Sequence, residues 1–330
     1  MRSFIGTSYD STESFSLQEV PLPQPGPGQV RIRIEATALG FVDGLMVQGR
    51  YQIRPELPYI PGGEIAGVVD AVGLGVKTVE IGNRIVTWQL GGGLAEYVVV
   101  SADEVHLVEE GLSSTIAASM LVDYQTAYYA VFEKGRVTAA DTVLVLGATG
   151  GVGSAALQLA ASAGAFVIAA ASTEDKRKMA HDLGARATVD YLSPNWRDEL
   201  KRVAPGAAVD VVFDPVGGDT FEPAFRSLGK EGRYLVVGFA AGRIPSLPIN
   251  LALLKSASLL GIDIRHFLST QPMRARKICQ SLFSMVRSGI LKPPSIASFS
   301  LERSKEAISA AISRDKQGKV VVLMGTAATD

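Results

Sequence analysis

The hydrophobic and polar positions follow two different patterns in the two halves of the chain. Up to roughly residue 120, short segments alternate apolar and polar residues, as VRIRIE does at 30–35, and glycine and proline separate them. Alternation with a period of two is typical of half-buried strands. The pattern therefore predicts strands at 30–35, 64–72 and 94–100, arranged as a small barrel or sandwich.

From roughly residue 122 onward, short strand-like segments rich in apolar residues alternate with helical patterns. Strands are predicted at 142–146, 165–170, 188–190, 209–213, 233–238 and 258–264, and helices at 173–183 and 221–228. Strands that alternate with helical crossovers are typical of a doubly wound parallel sheet, so the fold class is α/β. Beyond residue 265, an amphipathic helix at 272–288 and terminal strands at 296–299 and 319–324 are expected to return to the first domain.

A glycine-rich turn follows the first of these buried strands. GATGGVG at 147–153 leads into a small-residue apolar pattern, and the next strand comes at the distance of a βαβ unit. Glycines let the backbone approach a pyrophosphate, and the N-terminus of the new helix offers N–H groups to it. We therefore predict a dinucleotide cofactor, although the same pattern also fits a turn that binds nothing. The predicted contacts are Gly150, Gly151, Val152 and Gly153.

Composition narrows the class of protein. The chain has 330 residues, 47% of them hydrophobic and 20% charged, which suits a globular protein with two cores. Its net charge of −1 comes without a basic block, so nucleic acid and anionic membranes are not expected partners. No apolar run approaches the ~20 residues that a membrane span needs. The N-terminus lacks a signal-peptide pattern and the single Cys279 fits a reducing compartment, so we expect a cytoplasmic protein.

Several further segments make the chain recognisable. They are 21–76 (PLPQPGPGQ to GLGV), 124–131 (YQTAYYAV), 214–218 (DPVGG), 231–250 and 318–323 (GKVVVL). With the glycine turn, they resemble the zinc-independent quinone oxidoreductase family, the zeta-crystallin-like proteins of the medium-chain dehydrogenase/reductase superfamily. The resemblance implies a GroES-like β-rich catalytic domain at 1–121 and 265–330 and a Rossmann NADP-binding domain at 122–264.

The resemblance also implies an activity, NADPH:quinone oxidoreductase. Such an enzyme transfers hydride to small-molecule quinones or α,β-unsaturated carbonyls, whose conjugation spreads the developing negative charge. A homodimer is expected as well, because edge strands of this family pair across a two-fold axis and 258–264 is the expected edge.

The sequence leaves two alternatives to this activity open and excludes a third. An enoyl-thioester reductase on the same scaffold stays open, and it needs a long pocket with basic residues for the carrier phosphates. A protein that binds the cofactor without catalysis also stays open. A short-chain dehydrogenase is excluded, because none of the nine tyrosines is followed by lysine four residues later.

The zinc ligands of metal-dependent relatives are missing at the corresponding positions. Where those relatives have Cys and His near the first strands and a Gly-His-Glu, this chain has ALGFVD (38–43) and Gly62-Gly63-Glu64. The loop at 89–97 has no cysteine, and the three histidines lie in unrelated segments, at His106, His181 and His266. Zinc needs several N or S ligands placed close together, so we expect no metal.

The residues after the second strand of the parallel sheet favour NADPH over NADH. In NAD-dependent Rossmann proteins an acid about 20 residues beyond the glycines binds the ribose 2′-OH, but Ala170-Ala171-Ser172 stands there. The resemblance assigns the 2′-phosphate of NADPH to Ser172, Lys176 and Tyr191. Arg177 is expected on an ordinary solvated helix face.

Tyr51 is the candidate catalytic residue. It stands in the Gly-x-Tyr position that contacts cofactor and acceptor in the family, and its phenol either protonates the acceptor or only lines the pocket. Thr126 resembles the family threonine beside the nicotinamide carboxamide. The loop expected to cover the nicotinamide ring is Val237, Gly238 and Phe239.

Three positions depart from the family pattern. Gly40 stands where the family usually has Asn, Asp123 where Asn is often found, and Gly147 where Ala is usual. Without the Asn, Phe41 is expected to shape the acceptor pocket or else to lie in the core. Asp43 is expected to be a structural carboxylate, and Arg314 resembles a cofactor arginine only loosely.

Overall fold

A computed structural model describes residues 1–9, 12–313, 316 and 318–325, so Arg314 lies outside the described residues. The strands are β1 (Arg2–Gly6), β2 (Phe15–Glu19), β3 (Gln29–Leu39), β4 (Glu64–Val72), β5 (Arg84–Trp88), β6 (Tyr97–Ser101), β7 (Val105–Leu107), β8 (Thr142–Leu146), β9 (Phe166–Ala170), β10 (Ala187–Val189), β11 (Val209–Asp214), β12 (Leu228–Val236), β13 (Ser258–Gly261), β14 (Ile296–Ser300) and β15 (Lys319–Leu323). The α-helices are α1 (Phe41–Val47), α2 (Ser114–Tyr128), α3 (Gly151–Ser162), α4 (Glu174–Asp182), α5 (Trp196–Val203), α6 (Phe221–Arg226), α7 (Asn250–Lys255), α8 (Ile264–Thr270), α9 (Pro272–Arg287) and α10 (Ser304–Ile312).

The chain divides into two compact units, each with its own hydrophobic core. The first unit comprises Met1–Val122, Pro272–Gly289 and Pro293–Asp330, and the second comprises Asp123–Gln271 and Ile290–Lys292. Within the described ranges, no helix combines the length and the apolar character needed to cross a bilayer.

The second unit contains a parallel sheet with six strands in its described part, in the order β10-β9-β8-β11-β12-β13. Counted from β8, this is the 3-2-1-4-5-6 order of Rossmann folds, and the order reverses between β8 and β11. Every residue of β8 is buried, because helices cover the sheet: α3 packs on β8 and β9, and α6 packs on β11 and β12. The predicted doubly wound α/β fold is confirmed.

Several elements of this unit end earlier than the apolar pattern predicts, and for two of them the contacts show why. The strand predicted at 258–264 ends at Gly261, because the carboxylate of Asp263 accepts the N–H groups of Arg265 and His266, both at 3.1 Å, and so caps α8. The helix predicted at 221–228 ends at Arg226, because Leu228 already pairs with Val209 as the first residue of β12.

The first unit is built around β3. This strand pairs with β4 along one edge, and along its other edge it pairs with β6 in its first half and with β15 in its second half. Val30, Ile32 and Ile34 alternate along β3 and are buried, as the predicted period of two requires. The C-terminal strand β15 therefore belongs to the same sheet as the N-terminal half of the chain.

Candidate active site

The glycine turn lies at the carboxyl end of β8, where the sheet reverses its strand order. Gly147 follows the strand with a left-handed φ of 57°, and its carbonyl oxygen accepts the N–H of Gly150 at 3.0 Å. A β-carbon on Gly153 would lie 2.2 Å from the same oxygen, so only glycine lets α3 begin this close to the strand. Gly151, Val152 and Gly153 form the first turn of α3, whose N–H groups have no partner within the helix and suit a pyrophosphate.

Asp123 brings a carboxylate beside this turn. A β-carbon added to Gly151 would lie 2.2 Å from the Asp123 Oδ2 atom. Thr126 is three residues further along α2 and is buried, and residues at this spacing share a helix face. The departure from Asn at position 123 therefore puts a negative charge next to the first turn of α3.

The ends of β9 and β10 bring the candidate phosphate contacts to neighbouring positions. Val189 is paired with Ala170 in the parallel register, and the N–H of Ala171 donates to the Val189 carbonyl at 3.1 Å. Ser172 and Tyr191 come two residues after this pair, and both are half-buried. Lys176, also half-buried, lies in the first turn of α4, whose N-cap Thr173 accepts the Lys176 backbone N–H at 3.3 Å.

Arg177 does not lie on a solvated helix face, so that expectation is wrong. Its Nη1 atom donates to the carbonyl of Ala171 at 3.1 Å and lies 3.3 Å from Oδ2 of Asp190. Only 24% of its side chain is exposed. The contact cannot be predicted from the helix pattern alone, because Asp190 follows β10 and not α4; its position directly before Tyr191 is the one signal in the sequence.

Asp214, at the end of β11, organises the loop that follows. Its carboxylate accepts the hydroxyl of Tyr234 at 2.7 Å and the N–H groups of Val216 and Gly217 at 2.7 and 2.8 Å. Burial raises the pKa of the Asp214 carboxyl, and these hydrogen bonds counteract the increase. In the sequence, DPVGG indicates only the family resemblance, and no local pattern predicts this role of Asp214.

The loop at 237–239 is held against the same residues. The N–H groups of Val237 and Gly238 donate to the backbone carbonyl of Asp214 at 2.9 and 3.3 Å. A β-carbon on Gly217 would lie 2.9 Å from a ring carbon of Phe239. The loops after β11 and β12 therefore pack on each other at the carboxyl edge of the sheet, where such folds bind their ligands.

In the first unit, Tyr51 lies just beyond the end of α1 and is half-buried against a core cluster that includes Phe4 and Phe15. The Tyr9 hydroxyl donates to the carbonyl of Pro55, and this hydrogen bond links the segment after Tyr51 to the N-terminal part of the unit. Phe41 is the first residue of α1 and is 40% exposed, so it is not a core residue.

Asp43 forms hydrogen bonds with both segments in which metal-dependent relatives have their zinc ligands, the one at Gly40 and the one at Gly63. Its carboxylate accepts the N–H of Gly40 at 2.7 Å and that of Gly63 at 3.1 Å. Burial raises the pKa of this carboxyl, whereas the N–H of Gly40 and the nearby ammonium of Lys319 lower it. Asp43 thus has the structural role expected from its place near a turn.

These residues do not fit a zinc site. Gly40 and Gly63 offer no side-chain donor, and the Glu64 carboxylate is 2.6 Å from the ammonium of Lys319. A β-carbon on Gly40 would lie 3.9 Å from the same Lys319 nitrogen. In the part of the chain that the structure describes, no group of three or more His, Cys, Asp or Glu side chains could hold a metal ion.

The sequence and the fold are similar to those of known proteins. Residues 26–110 match the alcohol dehydrogenase GroES-like domain family, and residues 151–278 match the zinc-binding dehydrogenase family. The quinone oxidoreductase-like protein 2 homolog of Nematostella vectensis is 35% identical over 286 residues, which cover 86% of this chain and 78% of that protein. The Escherichia coli quinone oxidoreductase complexed with NADPH has a TM-score of 0.91 at 25% identity and covers 98% of this chain and 100% of its own.

A much longer protein also contains a similar region. The mycocerosic acid synthase-like polyketide synthase of Mycobacterium tuberculosis is 29% identical over 87% of this chain, which corresponds to 14% of the synthase.

The chain belongs to the quinone oxidoreductase family of the medium-chain dehydrogenase/reductase superfamily, and it is an oxidoreductase with a GroES-like domain and a Rossmann-type parallel sheet. The expected family and fold class are confirmed. The matched family is described as zinc-binding, but this chain has glycine at positions 40 and 63, and glycine has no side chain that could bind zinc.

Proposed function

We propose that the protein is an NADPH-dependent reductase that transfers hydride to quinones or α,β-unsaturated carbonyls without a metal. The observation that carries the proposal is the carboxyl edge of the parallel sheet. It combines the glycine turn after β8 with Ser172, Lys176 and Tyr191 after β9 and β10, and no acid ends β9. The NADPH complex of the similar Escherichia coli quinone oxidoreductase supports the same cofactor.

The residues of the second unit bind and orient this cofactor. The backbone at Gly150, Gly151, Val152 and Gly153 receives the pyrophosphate, and Lys176 with Ser172 and Tyr191 receives the 2′-phosphate. The remaining cofactor contacts are Thr126, Val237, Gly238 and Phe239. In this assignment the second unit, Asp123–Gln271 with Ile290–Lys292, corresponds to the NADP-binding domain that the sequence predicts at 122–264, and the first unit corresponds to the catalytic domain.

The acceptor chemistry is assigned to the first unit. Bound NADPH supplies a hydride from nicotinamide C4, and a conjugated acceptor spreads the resulting charge, so no metal is needed to polarise it. The phenol of Tyr51 donates the one proton that completes the reduction. Solvent water is the alternative donor of that proton. Phe41, exposed at the start of α1, supplies an apolar wall for the acceptor.

Anaerobic oxidation of NADPH, with NADH in parallel, tests this function against 1,2-naphthoquinone, a simple enone and crotonyl-CoA. Fast turnover of the quinone or enone with NADPH supports the proposal. Tight NADPH binding without turnover of any acceptor would favour a cofactor-binding protein without catalysis.

The alternative activity is that of an enoyl-thioester reductase. The similarity to part of a polyketide synthase supports it. Preferential turnover of crotonyl-CoA in the same assay would move the protein to this class.

We also propose that the enzyme is a homodimer that pairs through β13. This strand ends the sheet order, and exposed apolar side chains lie on it and at the preceding helix α7. They are Ile249, Leu253, Leu254 and Leu259. An exposed apolar strand edge favours association. Sedimentation at micromolar concentration tests the proposal: a dimer that Leu259→Lys dissociates supports it, and a monomeric wild-type protein contradicts it.

A further inference from the structure

A carboxylate lies at the edge where the 2′-phosphate is proposed to bind. Asp190 follows β10 directly and precedes Tyr191, one of the proposed phosphate contacts. About a third of its side chain is exposed, at 34%. In Rossmann proteins an acid after the second strand accepts a hydrogen bond from the ribose 2′-hydroxyl. A carboxylate close to a 2′-phosphate disfavours it through charge repulsion.

Both carboxylate oxygens of Asp190 contact other groups of the protein. Oδ1 accepts the backbone N–H of Leu192 at 3.0 Å, and Oδ2 lies 3.3 Å from Nη1 of Arg177. The charge of Asp190 is therefore opposed by a guanidinium at contact distance.

The guanidinium is itself held in place. The same Nη1 atom of Arg177 donates to the carbonyl of Ala171 at 3.1 Å, and Ala171 directly precedes Ser172. Arg177 is thus bound to the ends of both β9 and β10 from the first turns of α4. A planar guanidinium suits such shared contacts better than a lysine ammonium does.

We propose that Arg177 is a specificity-determining residue that selects NADPH by neutralising Asp190. The inference rests on the proposed function, since it assumes that the 2′-phosphate is bound by Ser172, Lys176 and Tyr191. Without Arg177, the uncompensated charge of Asp190 repels the 2′-phosphate and accepts a hydrogen bond from the 2′-hydroxyl of NADH. Arg177 is a positioning residue, and its effect passes through Asp190.

Equilibrium binding of NADPH and NADH to the full chain, followed by nucleotide fluorescence, tests this without any need for turnover. Arg177→Leu is expected to lower the ratio of NADPH affinity to NADH affinity about tenfold, as an uncompensated like charge near a phosphate would. Leucine has high helix propensity, so α4 is retained. The double variant Arg177→Leu/Asp190→Asn is expected to return the ratio to within about threefold of wild type.

Lys178→Leu is the matched control. It removes the same charge from the next residue of α4, whose side chain is exposed, and it is expected to leave the ratio unchanged. If Arg177→Leu does not fold, Arg177→Lys and Asp190→Asn test the same claim. The first lowers the ratio, because lysine loses the shared contact, and the second raises it, because Arg177 then adds uncompensated positive charge.

Two failures are distinguishable. A wild-type protein that does not prefer NADPH would remove the proposed cofactor, and with it this inference. A wild-type preference for NADPH, combined with an equal loss of both nucleotides in Arg177→Leu and no recovery in the double variant, would overturn only the role of Arg177.

Discussion

The ammonium of Lys319 lies 2.6 Å from a carboxylate oxygen of Glu64, and only 2% and 5% of the two side chains are exposed. Lys319 begins β15 and Glu64 begins β4, the two strands on either side of the second half of β3. The second Glu64 oxygen accepts the N–H of Val122 at 2.9 Å. A positive charge supplied by the protein itself thus stands beside Glu64, next to the position that holds a zinc-binding histidine in metal-dependent relatives.

Removal of Lys319 is expected to be costly. Lys319→Met should lower the free energy of unfolding by about 3–5 kcal/mol, because it leaves the buried carboxylate of Glu64 without its opposite charge. Chemical denaturation monitored by fluorescence measures the loss. The double variant Lys319→Met/Glu64→Met should recover most of it, since both charges are then gone.

Lys305→Met is the control for this pair. Lys305 forms an ion pair with Glu13 at 2.8 Å on the surface of the same unit, and exposed pairs contribute at most about 1 kcal/mol. A loss in Lys319→Met no larger than in Lys305→Met would contradict the account of the buried pair.

His106 gives the protein a specific sensitivity to acid. Burial lowers the pKa of this histidine to about 4, and the charge of Arg276 adds to the effect. Its Nδ1 atom has no hydrogen-bond partner among the described residues. Since the folded state resists protonation of His106, stability is lost as the pH falls from about 6.5 towards 4, by at most about 3 kcal/mol.

His106→Gln, which removes this titration, is expected to flatten the dependence of melting temperature on pH between about 6.5 and 4. His266→Gln, at an exposed position, is the control and should leave the dependence as in wild type. Equal pH profiles for His106→Gln and wild type would show that another group is responsible.

Asp123 is expected to limit cofactor affinity. Its carboxylate lies beside Gly151, at the start of α3, where a second negative charge competes with a pyrophosphate for the helix N-terminus. Asp123→Asn should therefore tighten the binding of NADPH and NADH alike, by roughly three- to tenfold. Fluorescence titration measures both constants, with the exposed Asp219→Asn as control. Weaker binding in Asp123→Asn would mean that the carboxylate supports the turn instead.

Tyr51→Phe separates a proton donor from a pocket wall. If the phenol protonates the acceptor, the variant should reduce an enone at least tenfold more slowly, since a general acid contributes about a hundredfold or more. NADPH affinity should stay unchanged, because the aromatic ring is retained. Tyr97→Phe, on β6, is the control. Full enone turnover by Tyr51→Phe would leave Tyr51 as a wall and water as the proton source.

The regular parts of the second unit could be predicted from the sequence because their signals are local. The strands at 142–146 (TVLVL) and 209–213 (VDVVF) are short segments made mostly of apolar residues, and the glycine turn requires small residues at fixed spacing. The end of the strand at 258–264 could not be located in this way. The apolar residues continue to Ile262, and only the hydrogen bonds of Asp263 reveal that a helix begins there.

The charged contacts of the candidate site could not be predicted. Arg177 is one of several basic residues on a polar helix, and its partner Asp190 becomes its neighbour only when β9 and β10 pair. The contact of Asp123 with Gly151 likewise depends on how α2 packs beside the glycine turn. These contacts join segments that are distant in the sequence, and a local sequence pattern does not indicate which distant segments come close together.

The most direct test of the central claim follows the hydride itself. Chelator-treated protein is incubated anaerobically with a simple enone and NADPH that carries two deuterium atoms at nicotinamide C4, and the product is analysed by mass spectrometry and NMR. Transfer of hydride without a metal predicts one deuterium at the β-carbon of the saturated product and a rate that added zinc does not increase. A product without deuterium, or turnover only after zinc is added, would contradict the account.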